Sequence, residues 1–428
     1  MTDGAGTTAA AWSRLTAAVA DQVLVTAVED VHRAVSDGVY RWLGPLGRPL
    51  QRYTDAMNAG AYRAVRLGLR GAGEVAAAAC QFPRGGVAPS ADDELTPTVR
   101  TAPTATPPPS RAATKARAIA QGVLSPELLS VVPAFEEELS LRYAGRSGPL
   151  APAELAAAVP TAGPHLVVFV HGLVDTEHVW FPTDERAACL PSAAEAAGAT
   201  PLLVRYATGR PIERNGRDLD AALEAAVTSW PVPVASLTLV GHSMGGLLLR
   251  AACAAAADRG ARWLDRLDDL LYLGTPHLGS WLEKVANVTS WTLRRTSRHA
   301  APIGALLDGR SQGIKDLRFG TTGEAAWSEG RVDGLLTGRP VDAPWLVGAR
   351  HHFVVGRLRR EPGHPLNAVL GDALVRSSSA TGAGRWRRIG GATPARVTAI
   401  GASHVRLPRD AEVAAVLTDV LTDGRRAG

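Results

Sequence analysis

Lysine is nearly absent from this chain. Of 428 residues only Lys115, Lys284 and Lys315 are lysines, so arginine carries almost all of the positive charge behind a formal net charge of +5. No dense basic block with interleaved aromatics occurs, so no nucleic-acid partner is expected. Cysteine is scarce as well. Cys80, Cys189 and Cys253 are odd in number and widely spaced, which excludes a disulfide framework and a cysteine-based zinc site. No window of about 18 apolar residues exists, so no membrane-spanning helix is expected. The opening Met-Thr-Asp-Gly-Ala-Gly lacks a basic region, and Asp21 interrupts the Ala-rich run behind it. No signal peptide is therefore expected, and the expected location is cytoplasmic, with peripheral membrane contact left open.

What is present is a globular composition, 46% hydrophobic and 20% charged, long enough for a full core and a second region. Apolar residues recur at helical spacing through 1–82, broken at Gly44-Pro45-Leu46-Gly47, which predicts a helical hairpin. Residues 83–113 are rich in Pro, Ala and Thr and read as a linker. Residues 114–428 read as one α/β domain. Short apolar runs at Leu166–Val170, Pro201–Tyr206, Leu237–Val240, Leu270–Leu273, Phe353–Val355 and Arg396–Ile400 alternate with helical segments, one of them opened by Asn215-Gly216. That pattern predicts a mostly parallel sheet with helices on both faces, preceded by a hairpin near Glu136–Gly148. Over 280–345 the alternation stops. Trp281, Val285, Val288 and Trp291 form a helical apolar stripe there, read as a cap over the carboxyl ends of the strands.

One stretch carries chemistry. Leu237–Val240 reads as a strand, Gly241-His242-Ser243-Met244-Gly245-Gly246 follows, and an Ala/Leu-rich helix comes next. Strand, Gly-x-Ser-x-Gly, helix is a nucleophile elbow, a turn that exposes its serine at the edge of the sheet. The chain holds its own control: Gly309-Arg310-Ser311-Gln312-Gly313 matches the same pattern, but no apolar strand precedes it, so Ser311 is set aside. A serine nucleophile needs a base, and the base needs an acid to orient it. His404 follows the last strand and is the expected base. Asp372 is the expected acid, with Glu361 as rival. Backbone N–H groups of Leu173 and Met244 are expected to bind the oxyanion. His171, Gly172, His242, His277 and Trp281 are expected to line the substrate site. No metal or cofactor is expected; Asp175 and His178 are too few for a metal site.

These motifs carry a resemblance. His171-Gly172-Leu173, the block around Ser243, Leu273-Gly274-Thr275-Pro276-His277-Leu278-Gly279-Ser280, Gly371-Asp372 and Ser403-His404 together resemble the α/β-hydrolase superfamily. Within it they are similar to the lipase-like branch, including bacterial triacylglycerol lipases and GPI inositol deacylase-like proteins. The resemblance covers about residues 136 to 425. It implies an α/β-hydrolase fold and hydrolysis of a carboxylic ester, lipid-like in its acyl part. The same acyl-enzyme could instead serve acyl transfer, and a catalytically inactive lipid-binding scaffold is the non-enzymatic alternative. Oligomeric state is not legible in the sequence.

Overall fold

The computed structural model describes residues 111–123, 137–143, 150–151, 154–182, 187–279, 344–357, 377–382, 389–390 and 395–426. It also describes Asp316, Asp372, Val375 and six helical positions between 51 and 66. The chain divides into two compact units, Met1–Arg117 and Ala118–Gly428. The hairpin expected over 1–82 and the linker over 83–113 lie almost wholly outside the described residues. So do nearly all of the cap expected over 280–345, with Trp281, Trp291 and Ser311, and the rival acid Glu361.

The elements run in the order α1 (Arg111–Val123), β1 (Ser140–Tyr143), α2 (Leu155–Ala158), β2 (His165–Val170), α3 (Leu190–Ala196), β3 (Thr200–Arg205), α4 (Ile212–Ser229), β4 (Ser236–His242), α5 (Met244–Arg259), β5 (Leu267–Leu273), β6 (Arg350–Gly356), α6 (Ser377–Ala380), β7 (Ala395–Ile400) and α7 (Ala411–Arg426). The strands form one sheet in the order β1-β3-β2-β4-β5-β6-β7. β1 pairs antiparallel with β3, and every other neighbour is parallel. β1 thus pairs with a distant strand, and the return arm of the expected leading hairpin, within 144–149, lies outside the described residues. Of a local return, the described residues keep one backbone bond, Leu150 N–H to Leu141 C=O at 2.8 Å.

The central strands are apolar throughout because both faces are covered. Leu166, Val168 and Val170 of β2 share one core cluster with Leu219 and Leu223 of α4 and Leu247 and Leu248 of α5. Val167 and Phe169, pointing the other way, share a second cluster with Leu190 of α3 and Leu417 of α7. The mostly parallel, helix-covered sheet expected from the strand–helix alternation is the one formed.

One helix begins earlier than expected. α4 starts at Ile212, and Asn215-Gly216 lie inside it rather than opening it. Asn215 is fully buried and donates its side-chain amide to Ala207 C=O at 3.0 Å. A Cβ on Gly216 would sit 2.5 Å from Ala251 Cβ, so the glycine serves a close crossing of α4 and α5. The helix start is capped from far away: Ile212 N–H donates to Asp316 Oδ2 at 2.9 Å. No local signal marks such a cap.

β2 is followed in sequence by β3 on one side and then by β4 on the other. Where the order reverses, the connections leave β2 and β4 in opposite directions and open a crevice at their carboxyl ends. His171-Gly172-Leu173 follows β2 into that crevice and Ser243 follows β4.

Candidate active site

Ser243 lies between β4 and α5 with φ 53° and ψ −121°. A non-glycine residue there is strained, and such strain persists only where its surroundings impose it. The surroundings are backbone. A Cβ on Gly241 would lie 2.6 Å from Gly246 N, and one on Gly245 would strike the Val170 carbonyl. Ser243 N–H donates to Leu273 C=O at 2.9 Å, fixing the turn to the end of β5. The serine is half-buried, whereas its neighbours His242 and Met244 are buried.

His404 and Asp372 form a buried pair. His404 Nδ1 lies 2.7 Å from Asp372 Oδ2. The carboxylate accepts, so Nδ1 carries the hydrogen and, in the neutral ring, the lone pair falls on Nε2. The acid is itself held: Val375 N–H donates to Asp372 Oδ1 at 2.8 Å, and His404 N–H donates to Asp372 C=O at 3.1 Å. His404 opens a short 3₁₀ helix, His404–Arg409, rather than an irregular loop. A Cβ on Gly274 would come within 3.0 Å of both Asp372 Oδ2 and His404 Nδ1. The Leu273-Gly274 segment therefore anchors the serine turn through one residue and borders the His–Asp pair through the next.

The turn after β2 approaches the serine from the other side. A Cβ on Gly172 would lie 3.1 Å from Ser243 Cβ. Tyr206 O–H donates to His171 C=O at 2.8 Å, and the two rings stack at 4.5 Å. Burial raises the Tyr206 phenol pKa far above its ordinary value, with the Asp175 charge adding to the effect. The phenol therefore stays a hydrogen-bond donor. Leu173 follows, packed against the core.

The histidines expected to line the site have more specific places. His171 Nδ1–H donates to Gly172 C=O at 2.9 Å. His242 Nε2–H donates to His404 C=O at 3.1 Å, with ring centroids 5.0 Å apart. Burial, with the neighbouring His404 charge, pushes the His242 pKa down to about 3. Its ring is therefore neutral and serves as a strut under His404. His277 is fully buried, and its ring contacts are Tyr272, Trp345 and Phe353. Among the described residues neither of its ring nitrogens has a hydrogen-bond partner, and burial holds its pKa well below the usual range. Trp281 lies outside the described residues. Sequence reasoning gave no individual role to Tyr206, Val375 or Gly274; Tyr206 and Gly274 act through contacts across the fold, and Val375 through a backbone bond three residues from Asp372. Tyr206 had the one weak signal, its place at the end of a strand.

Among the described residues no three His, Cys, Asp or Glu side chains converge as a metal site. Cys189 and Cys253 are free thiols. No helix among the described residues is long and apolar enough to cross a membrane.

The family described as "Putative serine esterase (DUF676)" matches residues 161–321, less than half of the chain. The matched segment holds the turn after β2 and the serine turn but not Asp372 or His404. No curated protein matches. Among solved structures, Bacillus licheniformis lipase BlEst2 in its propeptide form is 19% identical, over 61% of this chain and 51% of that one, with a TM-score of 0.41. The chain thus spans about half the length of that lipase. Aspergillus fumigatus lipase B is 10% identical over 66% of this chain and 56% of that one, with a TM-score of 0.39. A lipase-esterase related protein from Clostridium acetobutylicum is 10% identical over 67% of this chain and 99% of that one, with a TM-score of 0.33.

Proposed function

We propose that this chain is a carboxylic-ester hydrolase of the α/β-hydrolase type and works through an acyl-enzyme on Ser243. His404 Nε2 takes the hydroxyl proton as Ser243 Oγ attacks the acyl carbonyl. Asp372 keeps Nδ1–H in place and stabilises the imidazolium. The N–H groups of Leu173 and Met244 hold the oxyanion, each worth roughly 3 kcal/mol in the transition state. His404 then returns the proton to the departing alcohol. Water enters, loses a proton to the same Nε2 as its oxygen bonds to the acyl carbon, and the bond to Ser243 Oγ then breaks, Oγ recovering the proton from Nε2 as the acid leaves. No cofactor takes part in this scheme.

The observation that carries the reading is a juxtaposition. A strained serine and a buried His–Asp pair share one sheet edge, both set against Leu273-Gly274. Support for an apolar, lipid-like acyl group comes from the sequence, where Trp281, Val285, Val288 and Trp291 form an apolar stripe in the segment after β5.

Fluorophosphonate labelling tests the assignment. Wild type and Ser311→Ala should label and Ser243→Ala should not; labelling of folded Ser243→Ala would sink it. A series of aryl esters of increasing acyl length then tests the lipid-like preference, with kcat/KM expected to rise with chain length.

A further inference from the structure

We propose that Gly122, near the end of α1, is a positioning residue that holds the oxyanion turn in its working shape. The proposal rests on the esterase reading above, because it concerns where the Leu173 N–H points. The residue after Leu173 is Val174, and its φ is 54°. A β-branched residue in the left-handed region is an outlier, kept only where neighbours over-determine it. Several neighbours do so here. Tyr206 O–H holds His171 C=O, and Asp175 N–H donates to Gly172 C=O at 3.3 Å. Val174 N–H donates to Thr208 Oγ1 at 3.2 Å.

Gly122 closes the outer wall. A Cβ there would lie 2.6 Å from Val174 Cγ1, 2.8 Å from Thr208 Oγ1 and 3.3 Å from Val174 N. Both side chains are short and branched, so neither has a flexible end to swing away. A single methyl group at 122 must displace Val174 or break its bond to Thr208. Either change turns the peptide plane beside Leu173. Helix propensity does not explain this glycine, since alanine is favoured in a helix by its smaller loss of chain entropy. The close approach does. α1 also lies outside the segment that matches the esterase family, so the contact adds to the site from beyond that segment.

The test uses the full chain, with p-nitrophenyl butyrate as substrate and phenylboronic acid as inhibitor. The boronate adduct on the serine places an oxygen where the transition-state oxyanion sits. Gly122→Ala should lower kcat roughly ten- to a hundredfold, as a small misplacement of a catalytic donor does. It should weaken phenylboronic acid by a similar factor and leave KM within about twofold. Val174→Ala removes the clashing methyl groups. The contact with Thr208 Oγ1 at 2.8 Å remains, so adding Gly122→Ala to Val174→Ala should lower kcat and boronate affinity by a smaller factor than adding it to wild type, the coupling expected of residues in contact. Thr208→Ala, which leaves Gly122 intact, should also lower kcat severalfold at constant KM. A Gly122→Ala enzyme that matches wild type within twofold overturns the proposal. So does one that loses activity without weaker boronate binding, and, if Gly122→Ala does not fold, so does an unchanged Thr208→Ala. If wild type neither labels with a fluorophosphonate nor hydrolyses the ester, the esterase reading fails first and takes this proposal with it.

Discussion

His404 and Asp372, 32 residues apart in the chain, meet through a 2.7 Å bond between Nδ1 and Oδ2 while Val375 N–H occupies the other carboxylate oxygen. One oxygen of the acid accepts from the backbone and the other faces the imidazole. Asp372→Asn keeps the size but offers an amide. The amide N–H₂ can turn toward Nδ1 and stabilise the tautomer with its hydrogen on Nε2. We expect kcat to fall roughly 10³- to 10⁴-fold with little change in KM. Steady-state kinetics and the rate of fluorophosphonate labelling check this, and a loss below tenfold would remove Asp372 from the mechanism.

The strained serine sets activity against stability. Ser243 at φ 53° costs of order 1–3 kcal/mol. Ser243→Gly should abolish hydrolysis and raise the melting temperature, because the turn no longer holds a side chain in the left-handed region. Ser243→Ala should abolish hydrolysis without that gain. Thermal denaturation of the three proteins separates the two effects.

His242 makes the fold acid-sensitive. Its folded pKa is about 3 against an ordinary value of 6.5. Above pH 6.5 the ring is neutral both folded and unfolded, and it contributes nothing to the pH dependence. Between 6.5 and about 3 only the unfolded chain takes up the proton, so stability falls as the pH falls through that window. His277, also held neutral by burial, acts in the same direction. His242→Gln keeps a donor toward His404 C=O and cannot titrate. Its melting temperature should decline less steeply from pH 6.5 to pH 4 than that of wild type; parallel curves would refute the assignment.

The edge of the sheet beside β3 depends on a buried ion pair. Burial alone would raise the Glu177 pKa, but hydrogen bonding to Arg205, with the charges of Arg205, Arg142 and His178, holds it below its ordinary value. Arg205→Met leaves the carboxylate buried with less compensation and should cost roughly 3–5 kcal/mol. The double variant Arg205→Met/Glu177→Gln should recover much of that. The wild-type pair should lose its contribution as the pH falls through and below the ordinary glutamate range near 4.5. Urea denaturation at pH 7 and pH 4 reads both.

Much of the architecture was legible because it is written locally. Leu166–Val170 and Leu237–Val240 are short apolar runs between helical stretches, and strands buried on both faces need nothing else to declare themselves. The elbow was legible for a steric reason: glycines at 241 and 245 flank a serine where only backbone fits. The start of α4 was misread because Asn215-Gly216 looks like a helix opening. Its real functions, a bond to Ala207 and a close crossing with Ala251, involve residues beyond any local window.

The sequence by itself determined the periodicity, the tight turn at Ser243 and a candidate base in His404. These follow from spacing along the chain and from the bulk of single side chains. Tertiary structure alone decided which carboxylate faces His404, that His242 Nε2–H meets His404 C=O, and that Val174 sits at positive φ beside Gly122 and Thr208. Those outcomes depend on which loops meet at one sheet edge. A hydrogen bond of under 3 Å between residues tens of positions apart leaves no periodic trace in the chain that forms it.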